Sequence, residues 1–337
     1  MNATLAALWR QVNSEVGLKA CCIIEAVFNN GGGSQRRWVK IGDFKLKQRK
    51  INKSLVVREA REYVKANPKL KGVVGLYREV FSVQRRFSQR IPDRLPHLTE
   101  SQALRLIEEG GTLIDAGKLD VDVALVGEIM GQLAEVLAKK SVNPIEGFEG
   151  FIANDLDEEG LRDLVGAFLE RDDKKFLSRA EGYSQDPALL YMLLHMSLAP
   201  FFWRAAGAVA RKADLDQVPS GRCPVCGDLP IMGFLRSEDG LRVLECSLCG
   251  SRWGIPRIMC PFCMNVDQGK LKYIFAEDDD RRRAYLCEKC GRYVKVSSAP
   301  GKKDEEFVVP LEDLATAHLD LAAQEKGYER GCRTVFA

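Results

Sequence analysis

The sequence predicts an α + small β fold, in which an N-terminal all-α helical domain precedes a cysteine-rich β region and a C-terminal helix. Two observations lead to this prediction. Apolar residues recur at three- and four-residue steps through most of the first two-thirds of the chain, as on the buried face of a helix. Four Cys-x-x-Cys pairs then follow between residues 223 and 290, separated by short apolar runs that are typical of strands.

The helical domain is predicted over residues 51–213. The spacing of apolar residues predicts a first helix around Leu55–Val64, which ends at Asn67–Pro68. It predicts further helices over about 70–89, 99–110, 120–139, 157–170 and 187–212. Thr99 and Asp120 are the predicted N-caps, and Pro187 suits a first helical turn. The apolar run Ala188–Trp203 has only 16 residues, too few to span a membrane, so a buried core helix is predicted there.

The four Cys-x-x-Cys pairs predict metal binding. A tetrahedral thiolate site needs four sulfurs about 2.3 Å from one ion, and two intervening residues let one tight turn present two sulfurs to the same ion. Each such turn is called a knuckle below. Four knuckles predict two metal ions per chain, and the predicted ligands are Cys223, Cys226, Cys246, Cys249, Cys260, Cys263, Cys287 and Cys290.

Spacing favours sequential pairing of the knuckles. Nineteen residues separate Cys226 from Cys246 and twenty-three separate Cys263 from Cys287, enough for a hairpin in each case, whereas only ten lie between Cys249 and Cys260. An interleaved arrangement uses the same cysteines in another order and stays open. Disulfides are the other alternative, disfavoured because the knuckle pattern is specific for metal sites and nothing in the sequence suggests export to an oxidising compartment.

The cysteine-rich segment also has the pattern of a diverged repeat. A glycine follows the second cysteine of three knuckles (Gly227, Gly250 and Gly291), where a positive φ lets backbone amides face the thiolates. Leu241–Leu244 and Leu271–Phe275 are predicted strands. Each half therefore resembles a rubredoxin or zinc-ribbon module, which gives two tandem metal modules over residues 214–300.

The two ends of the chain complete the predicted domain organisation. Residues 1–50 contain the flexible run Gly31–Ser34 and an isolated Cys21–Cys22 pair, so a poorly ordered or loosely attached extension is predicted. Residues 301–337 are predicted to form a C-terminal helix, from Leu311 to Glu325, and a tail.

Charge raises a nucleic-acid alternative. The whole chain has a formal net charge of +3, but residues 36–71 contain thirteen Lys or Arg against three acidic residues. Zinc ribbons are common in nucleic-acid-binding proteins. Between Cys223 and Lys295, however, twelve basic residues face ten acidic ones, which argues against a phosphate-tracking surface on the metal modules.

The sequence predicts no catalytic residue and no enzymatic activity. Its three histidines, His97, His195 and His318, stand far apart, and there is no phosphate loop or nucleophile elbow. His195 is predicted to be a hydrogen-bonded core residue and His318 to be exposed. No signal peptide is visible in the first residues, so a cytoplasmic location is expected, where thiolates stay reduced and available to metal.

The motifs together resemble one family. These are Arg222–Pro230, Gly240–Cys249, Trp253, Cys260–Cys263, Cys287–Lys295, Asp313–Thr316, Leu319–Leu321 and Gln324–Tyr328. This constellation closely resembles the formate dehydrogenase accessory protein FdhE family over about residues 222–328, and more weakly over the helices from about 54 to 212. The resemblance does not extend to residues 1–50 or to the tail after Gly331.

The resemblance implies a cytoplasmic accessory protein, or chaperone, for formate dehydrogenase maturation. Such a protein binds the catalytic subunit of a molybdenum- or tungsten-dependent formate dehydrogenase before its assembly or export, and the eight cysteines are its metal ligands. Rubredoxin-type iron is associated with the family, although four thiolates suit zinc equally well. Two other functions stay open: a zinc-ribbon nucleic-acid-binding protein and a rubredoxin-like electron carrier. No membrane insertion is expected, and homo-oligomerisation is left open.

Overall fold

The computed structural model describes residues 23–27, 52–92, 98–140, 156–183, 186–216, 218 and 220–332. The predicted extension over residues 1–50 lies outside these ranges except for one strand, and so does the tail after residue 332. The basic segment of residues 36–71 is described only from Asn52 onward.

Seven helices precede the cysteine-rich region within the described residues. They are α1 (Lys53–Ala66), α2 (Lys71–Ser88), α3 (Glu100–Glu108), α4 (Val123–Lys140), α5 (Glu158–Leu169), α6 (Asp173–Ala180) and α7 (Pro187–Val209). Six of the seven occupy predicted positions. The sequence did not predict α6, because its eight residues carry too few apolar side chains to show a helical period.

Helix caps explain two of the observed starts. Thr99 caps α3 in a capping box with Gln102, as predicted. The prediction for α4 is wrong: Asp122, not Asp120, precedes the helix, and its carboxylate accepts a hydrogen bond of 3.0 Å from the Leu125 amide. Two acidic residues stand close together here, and only the one directly before the helix can reach its first free amides.

Helix α7 forms the centre of the helical core, as predicted for this apolar run. Pro187 lies in its first turn, and Leu190, Leu193, Leu194 and Phe202 are each 0% exposed. Pro200 interrupts the helical hydrogen bonds because it has no amide hydrogen. The carbonyl of Met196 instead accepts a hydrogen bond of 2.9 Å from the buried side chain of Gln84 on α2.

The strands form one sheet of eight strands. They are β1 (Ile23–Val27), β2 (Pro230–Leu235), β3 (Arg242–Cys246), β4 (Arg252–Ile255), β5 (Leu271–Ala276), β6 (Asp279–Cys287), β7 (Arg292–Ser298) and β8 (Glu329–Arg330). The order is β1-β5-β6-β7-β2-β3-β4, with β8 paired to β7. Strand β1, in the predicted loose extension, is an edge strand whose Ile23 lies opposite Ala276 of β5.

The two halves of the cysteine-rich region share this sheet. Strands β2 and β7 pair in parallel, with Gly233 opposite Val296 and Leu235 opposite Ser298. The predicted strands and hairpins are therefore present, but the halves join edge to edge instead of forming two separate modules. Spacing within each half cannot predict this pairing, because the partners lie about 60 residues apart.

The predicted C-terminal helix is two helices, α8 (Val309–Ala315) and α9 (Ala317–Glu325). The break falls at Thr316, whose hydroxyl donates a hydrogen bond of 2.8 Å to the Glu312 carbonyl. Such a bond to the preceding turn competes with the helical pattern. Helix α8 packs against α1 and α2 through Val308, Leu311 and Leu314, whereas α9 packs against β5 and β6.

The largest apolar core continues from the helices into the first half of the sheet. Side chains from α2, α4, α5 and α7 pack in one cluster with Val225, Leu248 and Trp253. The four cysteines of the first two knuckles belong to the same cluster. Cysteines of the other two knuckles lie in a smaller cluster around Leu271.

Candidate metal centres

The structure brings the eight predicted cysteines together in two groups. Within each group the four Sγ atoms all lie within 4.8 Å of one another. The first group is Cys223, Cys226, Cys246 and Cys249, and the second is Cys260, Cys263, Cys287 and Cys290. This is the sequential pairing of knuckles; the structure does not show the interleaved alternative.

The sulfur separations fit a tetrahedral metal ion. In the first group the Sγ atoms of Cys223 and Cys249 are 3.6 Å apart, and those of Cys226 and Cys246 are 3.5 Å apart. Both corresponding distances in the second group are 3.7 Å. Metal–sulfur bonds of about 2.3 Å in a tetrahedron place the sulfurs about 3.8 Å apart, whereas a disulfide needs about 2.05 Å. These cysteines are therefore free thiols arranged as a four-sulfur donor set.

The local fold of each knuckle explains how its sulfurs converge. The amide of Gly227 donates a hydrogen bond of 2.7 Å to the Cys223 carbonyl, and Gly291 donates one of 2.9 Å to Cys287. Gly227, Gly250 and Gly291 have φ values of 80°, 68° and 68°, as predicted from their position after the second cysteine. The remaining knuckle has Met264 at this position, with φ of 58° despite its side chain.

The first group lies in the interior of the molecule. The exposed fractions of Cys223, Cys226, Cys246 and Cys249 are 0%, 1%, 2% and 5%. Burial raises the pKa of Cys223 and Cys246 well above the usual value for a thiol. Burial also opposes ionisation of Cys226, but hydrogen bonds from the other three cysteines lower its pKa. Four buried thiols cannot all ionise without a nearby cation, and a bound divalent ion would supply that charge.

The helical domain holds the first knuckle by its backbone. The amides of Leu113 and Ile114 donate hydrogen bonds of 3.0 and 2.8 Å to the carbonyls of Pro224 and Val225. Arg171, at the end of α5, donates to the Cys226 carbonyl. The first group is therefore positioned by the helical domain as well as by the sheet.

The second group lies closer to the surface. Cys260 and Cys287 are 3% and 1% exposed, but Cys263 and Cys290 are only half-buried. Burial raises the pKa of Cys290 to about 11. For Cys263, burial opposes ionisation, but the Asn265 amide and the other three cysteines donate hydrogen bonds that lower the pKa. Next to these two cysteines, Met264 and Val266 are exposed by 39% and 56%.

The histidines lie outside both cysteine groups. His195 is half-buried on α7, and its Nε2 lies 3.3 Å from the Asp228 carboxylate, so it lies in the core beside a polar partner as predicted. The prediction for His318 is wrong: it is half-buried because α9 packs on the sheet, and burial lowers its pKa. His97 lies outside the described residues.

Several residues around the metal centres were not predicted from the sequence. Arg171 and Leu113 reach the first knuckle from positions more than 50 residues away in the chain, so no local pattern identifies them. Asn265 is different: its side-chain amide lies 3.9 Å from the Cys287 sulfur. Its position two residues after Cys263 is the only sequence signal for this role.

The helical domain, the shared sheet and the two groups define a protein with two four-cysteine sites, each of which could hold a metal ion. Residues 222–257 match the family model described as "FdhE, central domain", and residues 258–336 match the one described as "FdhE, C-terminal domain". These matches confirm the resemblance of the chain to the FdhE family.

Similar proteins show the same resemblance. The protein FdhE homolog of Aquifex aeolicus (strain VF5) is 32% identical over 176 residues, which cover 51% of this chain and 56% of that protein. Protein FdhE of Escherichia coli O9:H4 (strain HS) is 32% identical over 150 residues, 41% of this chain and 47% of that protein. The chain therefore spans about half the length of the curated relatives it matches.

A solved structure shares the fold. The crystal structure of the FdhE protein from Pseudomonas aeruginosa has a TM-score of 0.56 and 21% sequence identity, and the match covers 86% of this chain and 97% of that one. Within the described ranges, none of the helices combines the length and apolar character needed to cross a bilayer.

Proposed function

We propose that this protein is a cytoplasmic accessory protein for formate dehydrogenase maturation. It holds two metal ions through its eight knuckle cysteines and binds the catalytic subunit of a molybdenum- or tungsten-dependent formate dehydrogenase. It has no turnover of its own. The observation that carries this proposal is the presence of two complete four-cysteine groups inside the segment that matches the FdhE domains.

The metal ions have a structural role in this proposal. An ion bound by four thiolates has no open coordination position for a substrate, and its binding free energy becomes folding free energy for the segment that it joins. In the first centre, Cys223 and Cys226 lie on a knuckle that is bonded to the helical domain, whereas Cys246 ends strand β3. A metal there would fasten the helical domain to the sheet. The ligands suit iron or zinc.

The face around the second centre is the proposed contact surface for the catalytic subunit. Met264 and Val266 expose apolar side chains directly beside the half-buried Cys263. Only one other large apolar side chain within the described residues is similarly exposed, Leu104 on α3. Because exposed apolar side chains that cluster are typical of interaction sites, we place the client on this face.

Capture of the purified catalytic subunit tests the proposal. The wild-type chain should retain the subunit in a pull-down, and the double variant Met264→Asn/Val266→Asn should bind at least about tenfold more weakly, since burying one such side chain contributes roughly 1.5–3 kcal/mol. Asparagine suits the positive φ of residue 264. The matched control is Leu104→Asn, which removes an exposed apolar side chain elsewhere and should leave capture unchanged.

Two results would contradict parts of this proposal. If the wild-type chain captures no catalytic subunit, the accessory function is wrong. If the subunit is captured equally by wild type and the double variant, the function stands but the contact surface lies elsewhere. A gene deletion adds a cellular test: formate-dependent dye reduction should be lost while the catalytic subunit is still synthesised.

A further inference from the structure

A cleft beside the second cysteine group is lined by positive charge. The empty space of about 280 Å³ along its lining includes open solvent, and the part that a water-sized sphere can occupy is about 10 Å³, room for about one water molecule. Arg242, Arg257, Lys272 and Arg292 line it together with Phe262 and Cys260. The lining residues that the structure describes include no carboxylate.

The positive charges of this cleft are largely uncompensated. Lys272 pairs with Glu288 at 2.8 Å, but Arg257 and Arg292 are exposed and form no ion pair with any described residue. A divalent ion held by four thiolates leaves two net negative charges on the second centre. Three arginines thus remain against two negative charges, so the cleft stays positive even when the metal is bound.

Arg242 is the most deeply buried cation of the cleft. It is 1% exposed, its Nη2 donates a hydrogen bond of 3.0 Å to the Pro256 carbonyl, and it also donates to the Met259 carbonyl. Its buried Nε has no hydrogen-bond partner. Burial, and to a lesser degree the nearby Arg257, lowers the pKa of Arg242 to about 10. A buried charge without a carboxylate partner is costly, and an anion bound at the mouth of the cleft would offset part of that cost.

Two other buried arginines in this region pair with carboxylates. Arg252 is 0% exposed and lies 2.7 Å from the Glu245 carboxylate. Arg236 is 5% exposed and pairs with Asp216 at 3.0 Å and Asp239 at 2.6 Å. Arg242 lacks a carboxylate partner among the described residues, although it is as deeply buried.

We propose that the mouth of the cleft binds a small oxyanion, of the carboxylate or phosphate type, through the two exposed arginines, Arg257 and Arg292, while the buried Arg242 lines the same cleft. Guanidinium groups bind such anions through pairs of parallel hydrogen bonds. The apolar ring of Phe262 forms part of the wall. The oxyanion comes either as a free ion or as the terminal carboxylate of a polypeptide. This site does not depend on the proposed accessory function.

Calorimetric titration of the metal-loaded full chain tests the site. The probes are sodium phosphate, sodium formate, and a short peptide with a free C-terminal carboxylate beside the same peptide with a C-terminal amide. The double variant Arg257→Gln/Arg292→Gln should weaken binding at least about tenfold, since each charge-assisted hydrogen bond lost reduces affinity. Both side chains are exposed, so the fold and metal content should be unchanged.

A control variant removes two positive charges at other exposed positions in the same region of the sheet. Arg281→Gln/Lys289→Gln changes two exposed cations that do not line the cleft and should bind the probes as the wild type does. Binding of phosphate or formate supports a free ion as the ligand, and binding only of the peptide with a free carboxylate supports a polypeptide source. Absence of binding by all probes, or equal weakening in both double variants, would overturn the proposal.

Discussion

Lys295 illustrates how single buried charges fix the C-terminal helices to the sheet. It lies on β7 with 1% of its surface exposed, and its ammonium group is 3.0 Å from the Asp313 carboxylate and 2.6 Å from that of Asp320. Arg330 completes the cluster through both carboxylates. Two positive and two negative charges therefore balance where α8 and α9 meet the sheet.

Removing Lys295 should destabilise the protein strongly. Lys295→Met leaves two buried carboxylates with one cation, and breaking a buried pair in this way costs roughly 3–5 kcal/mol. Urea unfolding measures the change. The control Lys272→Met breaks a partly exposed pair with Glu288 and should lower the free energy of unfolding by only about 0–1 kcal/mol. Similar losses in the two variants would show that the Lys295 cluster is not a stability element.

Asp304 should make stability depend on pH. It is 8% exposed, its Oδ1 has no hydrogen-bond partner, and burial raises its pKa to about 6. Because this value lies above that of an unfolded aspartate, about 3.9, the folded state binds the proton more tightly. As pH rises from about 4 through 6, the ionised carboxylate therefore costs the folded state stability, and that cost is fully present above pH 6.

The variant Asp304→Asn tests this effect directly. It should increase the free energy of unfolding by roughly 1–3 kcal/mol at pH 7.5, and the gain should shrink as pH falls towards 4. Comparing the variant with wild type at each pH removes the separate effect of acid on metal binding. A difference between the two proteins that does not vary with pH would contradict the predicted role of Asp304.

At the scale of helices and strands, the sequence could predict those features that depend on residues close together in the chain. Thr99 could be predicted as a cap because a threonine stands at the start of the predicted helix, and the knuckles because two residues separate the cysteines of each pair. The break at Thr316 was not predicted, since it depends on a choice between two local hydrogen bonds. The parallel pairing of β2 with β7 was not predictable either, because no local pattern links Gly233 to Val296.

The two knuckle pairs should respond differently to loss of a ligand. Cys226 is in the main core and its carbonyl accepts a hydrogen bond from Arg171, whereas Cys263 is half-buried at the surface. We expect Cys226→Ser to destabilise the helical domain and the sheet together. Cys263→Ser should leave the helical domain folded and affect mainly the second knuckle pair, since a metal stabilises chiefly the segment it joins.

Thermal unfolding followed by circular dichroism distinguishes these two outcomes. The helical signal should melt at a clearly lower temperature in Cys226→Ser than in wild type, and close to the wild-type temperature in Cys263→Ser. Equal shifts of the helical transition in both variants would show that the two centres contribute equally to the stability of the helical domain, which would contradict this prediction.

At the scale of the whole molecule, the first centre joins parts that the sequence presents as separate. The sequence predicted a helical domain over residues 51–213, followed by a linker near Asp214–Gly221 and a cysteine-rich metal region. In the structure, Val225 and Trp253 belong to the same apolar cluster as Leu193 and Phe202 of α7. This continuity arises from contacts between residues far apart in the chain, which local spacing does not encode.

The metal content of the purified chain tests the central claim most directly. Protein prepared under reducing conditions should contain two iron or zinc ions per chain by elemental analysis, one for each four-cysteine group. During treatment with a chelator, the ion at the half-buried second group should be released first and the ion in the core more slowly. A content of one ion or none, with all eight thiols reduced, would contradict the account of two metal centres.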